Sequence, residues 1–251
     1  MNSLLGSSAL TFGPVNQGPP TSHPKLGPPK DSRAVLDAIR RHDVTAYSDT
    51  DLKDAMARLR TRPPHPSVSQ VLPEVFAIVS EVISRRLGAW RLFDTGFDRK
   101  SLPESLQTCW RTADLSQGSS GTAATGPDQQ TIVDAMLMVH REIQVRPPWD
   151  ISMPAGFYQA LRRQDQKGHL TFEATEEQLL AGLHLFQGNI VQMNAGEGKT
   201  IAAAFPAVLH AVHGRTIHII TANDYLANRD AEWLAPVFES LGLSVSAVLE
   251  F

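Results

Sequence analysis

The most informative stretch of this 251-residue chain is Met193-Asn-Ala-Gly-Glu-Gly-Lys-Thr200. Residues 189–193 are predicted to form a short strand that leads into it, and residues 199–213 a helix that leaves it. A glycine turn between a strand and a helix is typical of a phosphate-binding P-loop, because inward-facing N–H groups and the positive end of the helix together hold an anion. The general pattern G-x-x-x-x-G-K-[ST] requires glycine at 193, where this chain has methionine. The alternative is a tight turn that only caps a helix.

The loop residues have distinct expected roles at a bound nucleotide. Gly196, Glu197 and Gly198 are expected to form the backbone cradle for the phosphates. Lys199 would reach the β- and γ-phosphates, and the Thr200 hydroxyl would coordinate Mg²⁺. These two side chains are therefore the predicted catalytic residues, and Thr200 is the predicted metal ligand.

A glutamine upstream of the loop has two interpretations. Gln178 lies 21 residues before Lys199, in a helix predicted for 175–186. A glutamine amide offers both a donor and acceptors, so it can recognise an adenine edge. Thr175 and Gln178 also have the spacing of a helix capping box. The residues alone favour neither interpretation.

The sequence after the loop predicts the fold class. Strands at 215–221 and 243–249 flank a helix at 224–240, and strands that alternate with helices of this length indicate right-handed crossovers and a parallel sheet. The predicted fold is an α/β P-loop NTPase with an incomplete parallel sheet. Polar residues from Thr221 to Trp233 follow a predicted strand, where ligands of such sheets bind, although a helix cap at Asn223 or Asp224 with surface pairs explains them more simply.

The front of the chain is predicted to be helical. Apolar periodicity and stop signals give helices at 33–42, 48–60, 72–87, 129–145 and 155–166. Ser48 and Asp51 are expected to form a capping box, and Gly88 is expected to end the third helix. Residues 1–30 are rich in proline and contain no acidic residue, so they are predicted to be a disordered tail.

Composition excludes a disulfide framework and argues against several other functional classes. The 23 Lys+Arg and 26 Asp+Glu residues give a formal net charge of -3, so no basic excess indicates nucleic acid. The single cysteine, Cys109, cannot form an internal disulfide, and no Cys/His cluster has zinc-site spacing. The longest apolar stretches are interrupted or too short to span a bilayer.

Three segments, at Gln178, at 196–200 and at 223–232, resemble in this order the SecA family, the ATP-driven motors of bacterial preprotein translocation. Gly196 to Thr200 matches that family's Thr-Gly-Glu-Gly-Lys-Thr loop, with Ala195 in place of the threonine. The family also lacks the first P-loop glycine, so Met193 is expected there. The most specific string is Asn223-Asp-Tyr-Leu-Ala227 followed by Arg229-Asp-Ala-Glu232, which ordinary DEAD-box helicases do not share.

The resemblance implies a RecA-like fold of the helicase superfamily 2 type and the cofactors ATP and Mg²⁺. It also implies that Gln178 recognises adenine. The implied partners are unfolded preproteins, a Sec-type channel in the membrane and acidic lipids, with no nucleic acid. The implied location is the cytoplasm, with peripheral association at the inner face of the cell membrane.

Composition, helical periodicity and, for about 45–94 and 172–249, the resemblance together give the expected domain organisation. The division is a tail at 1–30, an N-terminal helical region at 31–94, a helical insertion at 95–170 with a Ser/Gly linker at 114–130, and the first, truncated part of the nucleotide-binding domain at 171–251. In the family a Phe-Asp pair lies almost directly before the adenine glutamine, whereas residues 95–177 separate Phe93-Asp94 from it here. This insertion puts in question whether Arg91 and Phe93 line an adenine pocket.

The family's water-activating acidic segment and second motor domain follow the region that ends at Phe251. We therefore expect this chain to be part of a longer protein, to bind nucleotide weakly at best by itself and not to hydrolyse it. Two alternatives remain open: a superfamily 2 nucleic-acid helicase, and a catalytically inactive nucleotide-binding interaction module.

Overall fold

A computed structural model describes residues 32–61, 68–115 and 126–250. The predicted tail at 1–30 and residues 116–125 of the predicted linker lie outside the described residues. Residues 114–115 and 127–130 of that linker lie in helices.

Nine α-helices lie in the described ranges. They are α1 (Ser32–Arg41), α2 (Asp49–Thr61), α3 (Val68–Ile83), α4 (Glu104–Leu115), α5 (Pro127–Glu142), α6 (Ala155–Gln164), α7 (Glu176–Phe186), α8 (Lys199–Val212) and α9 (Asp224–Ser240). The eight helices predicted from the sequence are confirmed, and each observed end lies within four residues of the predicted one. Only α4 is not predicted. No helix in these ranges is long and apolar enough to cross a membrane.

The start of α2 shows the predicted capping box. The Asp51 amide donates to Ser48 Oγ at 3.1 Å, and the Ser48 amide donates to Asp51 Oδ2 at 2.8 Å. The pKa of Asp51 is lowered, because the Ser48 side chain and backbone both donate to its carboxylate. Two backbone donors at the helix end are satisfied in this way, which fixes where α2 begins.

The end of α3 differs from the prediction. Regular α-helix stops at Ile83, a π-helical turn covers Ser84–Gly88 and a 3₁₀ turn covers Ala89–Phe93. Gly88 has φ of -107°, so it is not a left-handed helix stop. A Cβ atom there would lie 2.5 Å from the Leu170 carbonyl oxygen, so glycine is needed for the close approach of two backbone segments.

The first hydrophobic core packs α1, α2 and α3 against α7, α8 and α9. Phe76 of α3 and Phe205 of α8 lie at its centre, both fully buried, with ring centroids 4.9 Å apart. This core combines helices from the segments 31–94 and 171–251, which the sequence assigns to separate units.

The second hydrophobic core lies within residues 89–170 and is built by α4, α5, α6 and the 3₁₀ turn after α3. Leu106, Ile132 and Phe157 are fully buried in it. The side chain of Trp90 donates to Tyr158 Oη at 2.9 Å, so a buried polar group is satisfied inside this core.

Charged and polar side chains connect the two cores in what we call the ionic junction. It consists of Asp49, Glu81, Arg85, Arg86 and Tyr158, which are buried or nearly so, and the exposed Arg162, which pairs with Glu81. The Asp49 carboxylate accepts from Arg85 Nη1 at 2.9 Å, Arg86 Nη2 at 3.0 Å and Tyr158 Oη at 2.9 Å. Burial, followed by the charge of Asp49, raises the pKa of Tyr158, so this hydroxyl stays a donor. The junction therefore ties the N-terminus of α2 to the end of α3 and to α6.

The predicted parallel sheet is wrong for the described residues, which contain no strand or sheet. Residues 189–193, 215–221 and 243–249 lack a strand ladder. The alternating apolar residues of the last two segments do pack on the first core. Those that lie half-buried against it are Ile217, Ile219, Leu243 and Val245. Alternating apolar residues specify which face of a segment is covered, whereas a sheet also requires backbone hydrogen bonds to a neighbouring strand. The α/β classification is thus replaced by a helical architecture.

Candidate functional site

The glycine turn before α8 has the backbone conformation expected of an anion cradle. Gly196 and Gly198 have φ of 85° and 80°, in the left-handed region that favours glycine. Gly198 is the N-cap residue of α8, and Lys199 is the first helical residue. The unpaired N–H groups at this helix start and the partial positive charge of the helix favour a negatively charged ligand.

Lys199 folds back over the turn. Its Nζ atom donates to the Asn194 carbonyl oxygen at 2.7 Å, and its side chain is half-buried. The ammonium group therefore lies within the turn, close to the backbone where a phosphate would bind. A lysine in this position supplies a point charge to a phosphate.

Glu197 also turns toward the start of the loop. Its two carboxylate oxygens accept from the Asn194 backbone N–H and from Asn194 Nδ2, both at 2.6 Å. Asn194 is thus a residue of the site that the sequence analysis did not single out. A short amide side chain directly before Gly-x-Gly was the available signal, since asparagine commonly bonds to nearby turn backbone.

Thr200 lies in the first turn of α8 and is half-buried. Its hydroxyl makes no hydrogen bond to any of the described residues. No group of three or more His, Cys, Asp or Glu side chains among these residues could hold a metal ion. A hydroxyl is a suitable Mg²⁺ ligand, and the other ligands of an ion bound at Thr200 would have to be nucleotide oxygens or water.

Gln178 connects the start of α7 to this loop. Its Oε1 accepts from the Thr175 amide at 3.2 Å, while the Gln178 amide donates to Thr175 Oγ1 at 3.3 Å. Its Nε2 donates to the Glu197 carbonyl oxygen at 2.9 Å, and the residue is buried. The capping-box prediction is confirmed, and adenine recognition stays a prediction. The structure brings Gln178 to the same loop as Lys199.

The polar segment from Thr221 to Trp233 forms the cap and first turns of α9, and it shows the helix cap and surface pair of the simpler interpretation. Asn223 caps the helix, because its Oδ1 accepts from the Leu226 amide at 2.9 Å. Asn228 Nδ2 donates to Glu232 Oε1 at 2.8 Å, an i,i+4 surface pair. The Asp224 carboxylate accepts from the Glu250 amide at 3.0 Å, so it also holds the segment after α9.

Arg91 and Phe93 lie with the second core. Phe93 packs against Trp90 and Phe157, with ring centroids 5.2 and 6.2 Å apart. The Arg91 guanidinium lies over the Phe97 ring, 4.9 Å from its centroid. Both side chains therefore have partners within the segment 89–170.

Comparisons with known proteins identify the family. A model of the SecA DEAD-like domain matches residues 111–250, which is more than half of the chain and includes the whole candidate site. The chain belongs to the SecA family. Protein translocase subunit SecA 2 of Rhodopirellula baltica is 39% identical over 121 residues, covering 48% of this chain and 18% of that protein.

Two further SecA relatives support the same family assignment. Protein translocase subunit SecA of Oleidesulfovibrio alaskensis is 40% identical over 126 residues, covering 50% of this chain and 14% of the relative. The subunit of Rubrobacter xylanophilus is 37% identical over 133 residues, covering 51% of this chain and 14% of the relative. The SecA-family chain thus spans less than a fifth of the length of these relatives.

Proposed function

We propose that the loop at 194–200 binds the phosphates of ATP for a SecA-type motor. The observation that carries this proposal is the Lys199 ammonium, folded into a turn with two left-handed glycines at the start of α8. Gly196, Glu197 and Gly198 would present backbone N–H groups, and Lys199 would neutralise charge on the β- and γ-phosphates. Thr200 would coordinate Mg²⁺, and Gln178 would recognise adenine.

In the whole protein, ATP binding and hydrolysis would drive the transport of unfolded preproteins through a Sec-type channel. The support is the family assignment, since the relatives are named protein translocase subunits. We propose a cytoplasmic protein that associates peripherally with the inner face of the membrane, where acidic lipids and the channel are its partners.

Titration of the 251-residue chain with ADP, followed by NMR, tests the site directly. We expect ADP to shift the amide resonances of 194–200. Lys199→Ala should weaken binding at least about tenfold, because a hydrogen bond to a charged group contributes roughly 1.5–3 kcal/mol. Lys167→Ala is the control, since Lys167 is an exposed lysine in the turn after α6. Equal affinities of wild type and Lys199→Ala would exclude the assigned phosphate site.

A further inference from the structure

Asn194 is held from two sides within the candidate loop. The Glu197 carboxylate accepts from its backbone N–H and its side-chain amide, both at 2.6 Å. Its carbonyl oxygen accepts from Lys199 Nζ at 2.7 Å and from the Glu197 amide at 3.4 Å. We call the two carboxylate bonds the Asn194–Glu197 clasp.

The negative charge of Glu197 is unfavourable at this position. A carboxylate beside a phosphate cradle repels a polyphosphate, so electrostatics alone would favour a neutral residue at 197. The carboxylate instead makes two short, charge-assisted hydrogen bonds, which are stronger than neutral ones. The Glu197 backbone is also fixed, because its carbonyl oxygen accepts from Gln178 Nε2 at 2.9 Å.

We propose that Asn194 and Glu197 are positioning residues for the nucleotide. This proposal rests on the proposed function of the loop. Lys199 must exchange the Asn194 carbonyl for a phosphate when the nucleotide binds, and this exchange removes one of the contacts that hold the turn. The clasp keeps the turn in shape after Lys199 has left, so the backbone N–H groups stay aimed at the ligand. Binding then costs less ordering of the loop.

The clasp and a simple surface charge predict opposite results for Glu197→Gln. The two donors of Asn194 bond to different oxygens of the Glu197 carboxylate, and glutamine replaces one of those oxygens with an NH₂ group, which cannot accept. If the clasp positions the loop, Glu197→Gln weakens ADP binding about threefold to tenfold, the worth of roughly one hydrogen bond. If Glu197 acts only as a negative charge, the same substitution tightens binding, and the gain shrinks as salt is added.

Asn194→Ala tests the effect of the clasp without any change of charge. It removes the bond from Nδ2 to Glu197 while leaving the backbone carbonyl that accepts from Lys199, and it changes no charge. We expect about threefold weaker ADP binding. Glu142→Gln is the charge-matched control for Glu197→Gln, because Glu142 lies at the surface end of α5, where it pairs with Arg146.

NMR of the 251-residue chain at low and high salt supplies two readouts, ADP affinity and amide hydrogen exchange at 194 without ligand. Weaker binding by both variants, with faster exchange at 194 in Glu197→Gln, supports the proposal. Unchanged or tighter binding by Glu197→Gln overturns the clasp as a positioning device while wild-type binding still supports the site. A wild-type chain with a slowly exchanging 194 amide whose 194–200 resonances do not shift even at millimolar ADP, where weak binding would be seen, overturns the proposed function, and this inference with it.

Discussion

Gly198 lies directly against the side chain of Gln178 in α7. A Cβ atom at Gly198 would lie 2.3 Å from Gln178 Nε2, and the residue has φ of 80°. Gly198→Ala should therefore destabilise the chain, with about 1–2 kcal/mol from the left-handed backbone alone and a further loss from displacing Gln178. Urea unfolding measures the stability, and an ADP titration measures the effect on the site.

Gly196→Ala is the matched control, because Gly196 has φ of 85° but a Cβ atom there would have no neighbouring atom within 4 Å. It carries the backbone cost without the collision. Equal losses of stability in the two variants would show that the contact with Gln178 is unimportant.

Gln178 can be tested separately as a helix cap and as an adenine-recognising group. Gln178→Ala removes half of the capping box and the bond to the Glu197 carbonyl, so we expect a loss of about 1 kcal/mol in the free energy of unfolding. If the amide also recognises adenine, the preference for ADP over GDP should fall. Affinities for both nucleotides, measured on the same sample, give that ratio.

Thr175→Ala controls for the cap. It removes the hydroxyl that accepts from the Gln178 amide and leaves the Gln178 side chain in place. We expect a similar loss of stability with an unchanged ADP-to-GDP ratio. A ratio that also stays unchanged in Gln178→Ala would restrict that residue to capping α7 and supporting the loop.

The packing of α7 on α8 fixes the distance between Gln178 and the phosphate loop. Pro206 lacks the N–H that would bond to the Ala202 carbonyl in a regular helix, and Gly182 of α7 packs at that carbonyl. A Cβ atom at Gly182 would lie 2.9 Å from Phe205 Cβ and 3.0 Å from the Ala202 oxygen. Gly182→Ala should therefore destabilise the chain by about 1–3 kcal/mol, measured by thermal or urea unfolding.

Gly156→Ala in α6 provides the contrast. The nearest atom to a Cβ there is Thr131 Cγ2 at 4.0 Å, so the added methyl has room. An alanine within a helix should then stabilise by roughly 0.5–1 kcal/mol. Stabilisation by both substitutions would contradict the close contact between α7 and α8.

The elements that could be predicted from sequence are those whose signal is local. The caps at Ser48 and Thr175 and the periodicity of α3 depend on residues three or four positions apart, and the structure confirms them. Leu106, Cys109 and Ala113 of α4 have the same spacing and are buried, so the missing helix was within reach of the sequence. Sheet formation was not, because it depends on pairing between distant segments.

The candidate site divides in the same way. The glycine turn follows from a local pattern and is present in the structure, whereas the role of Lys199 at a phosphate stays a prediction. The role of Gly88 could not be read locally, because it depends on the approach of Leu170, 82 positions away. Likewise the bond from Gln178 to Glu197 requires α7 to pack on α8, which no short pattern encodes.

At the scale of the described molecule, the ionic junction links the two hydrophobic cores. Asp49 accepts from Arg85 and Arg86, whose side chains are almost fully buried, and from the Met153 amide at 3.1 Å in the segment before α6. Asp49→Asn would leave the buried Arg86 guanidinium without a carboxylate partner and Arg85 with that of Glu81 alone. We expect a loss of about 3 kcal/mol in the free energy of unfolding, as for other broken buried ion pairs. Asp54→Asn, an exposed position on the same helix, is the control.

Cys109 reports whether the junction makes the two cores unfold together. Its side chain is buried in the second core, and burial raises the pKa of its thiol to about 11, so at pH 8 only roughly one folded molecule in a thousand carries the thiolate. Labelling by a thiol reagent should therefore require opening of that core. If the two cores unfold as one cooperative unit, Asp49→Asn should accelerate labelling by the factor that its loss of global stability predicts. A labelling rate unchanged by Asp49→Asn, in a chain whose first core is destabilised, would show instead that the second core opens on its own.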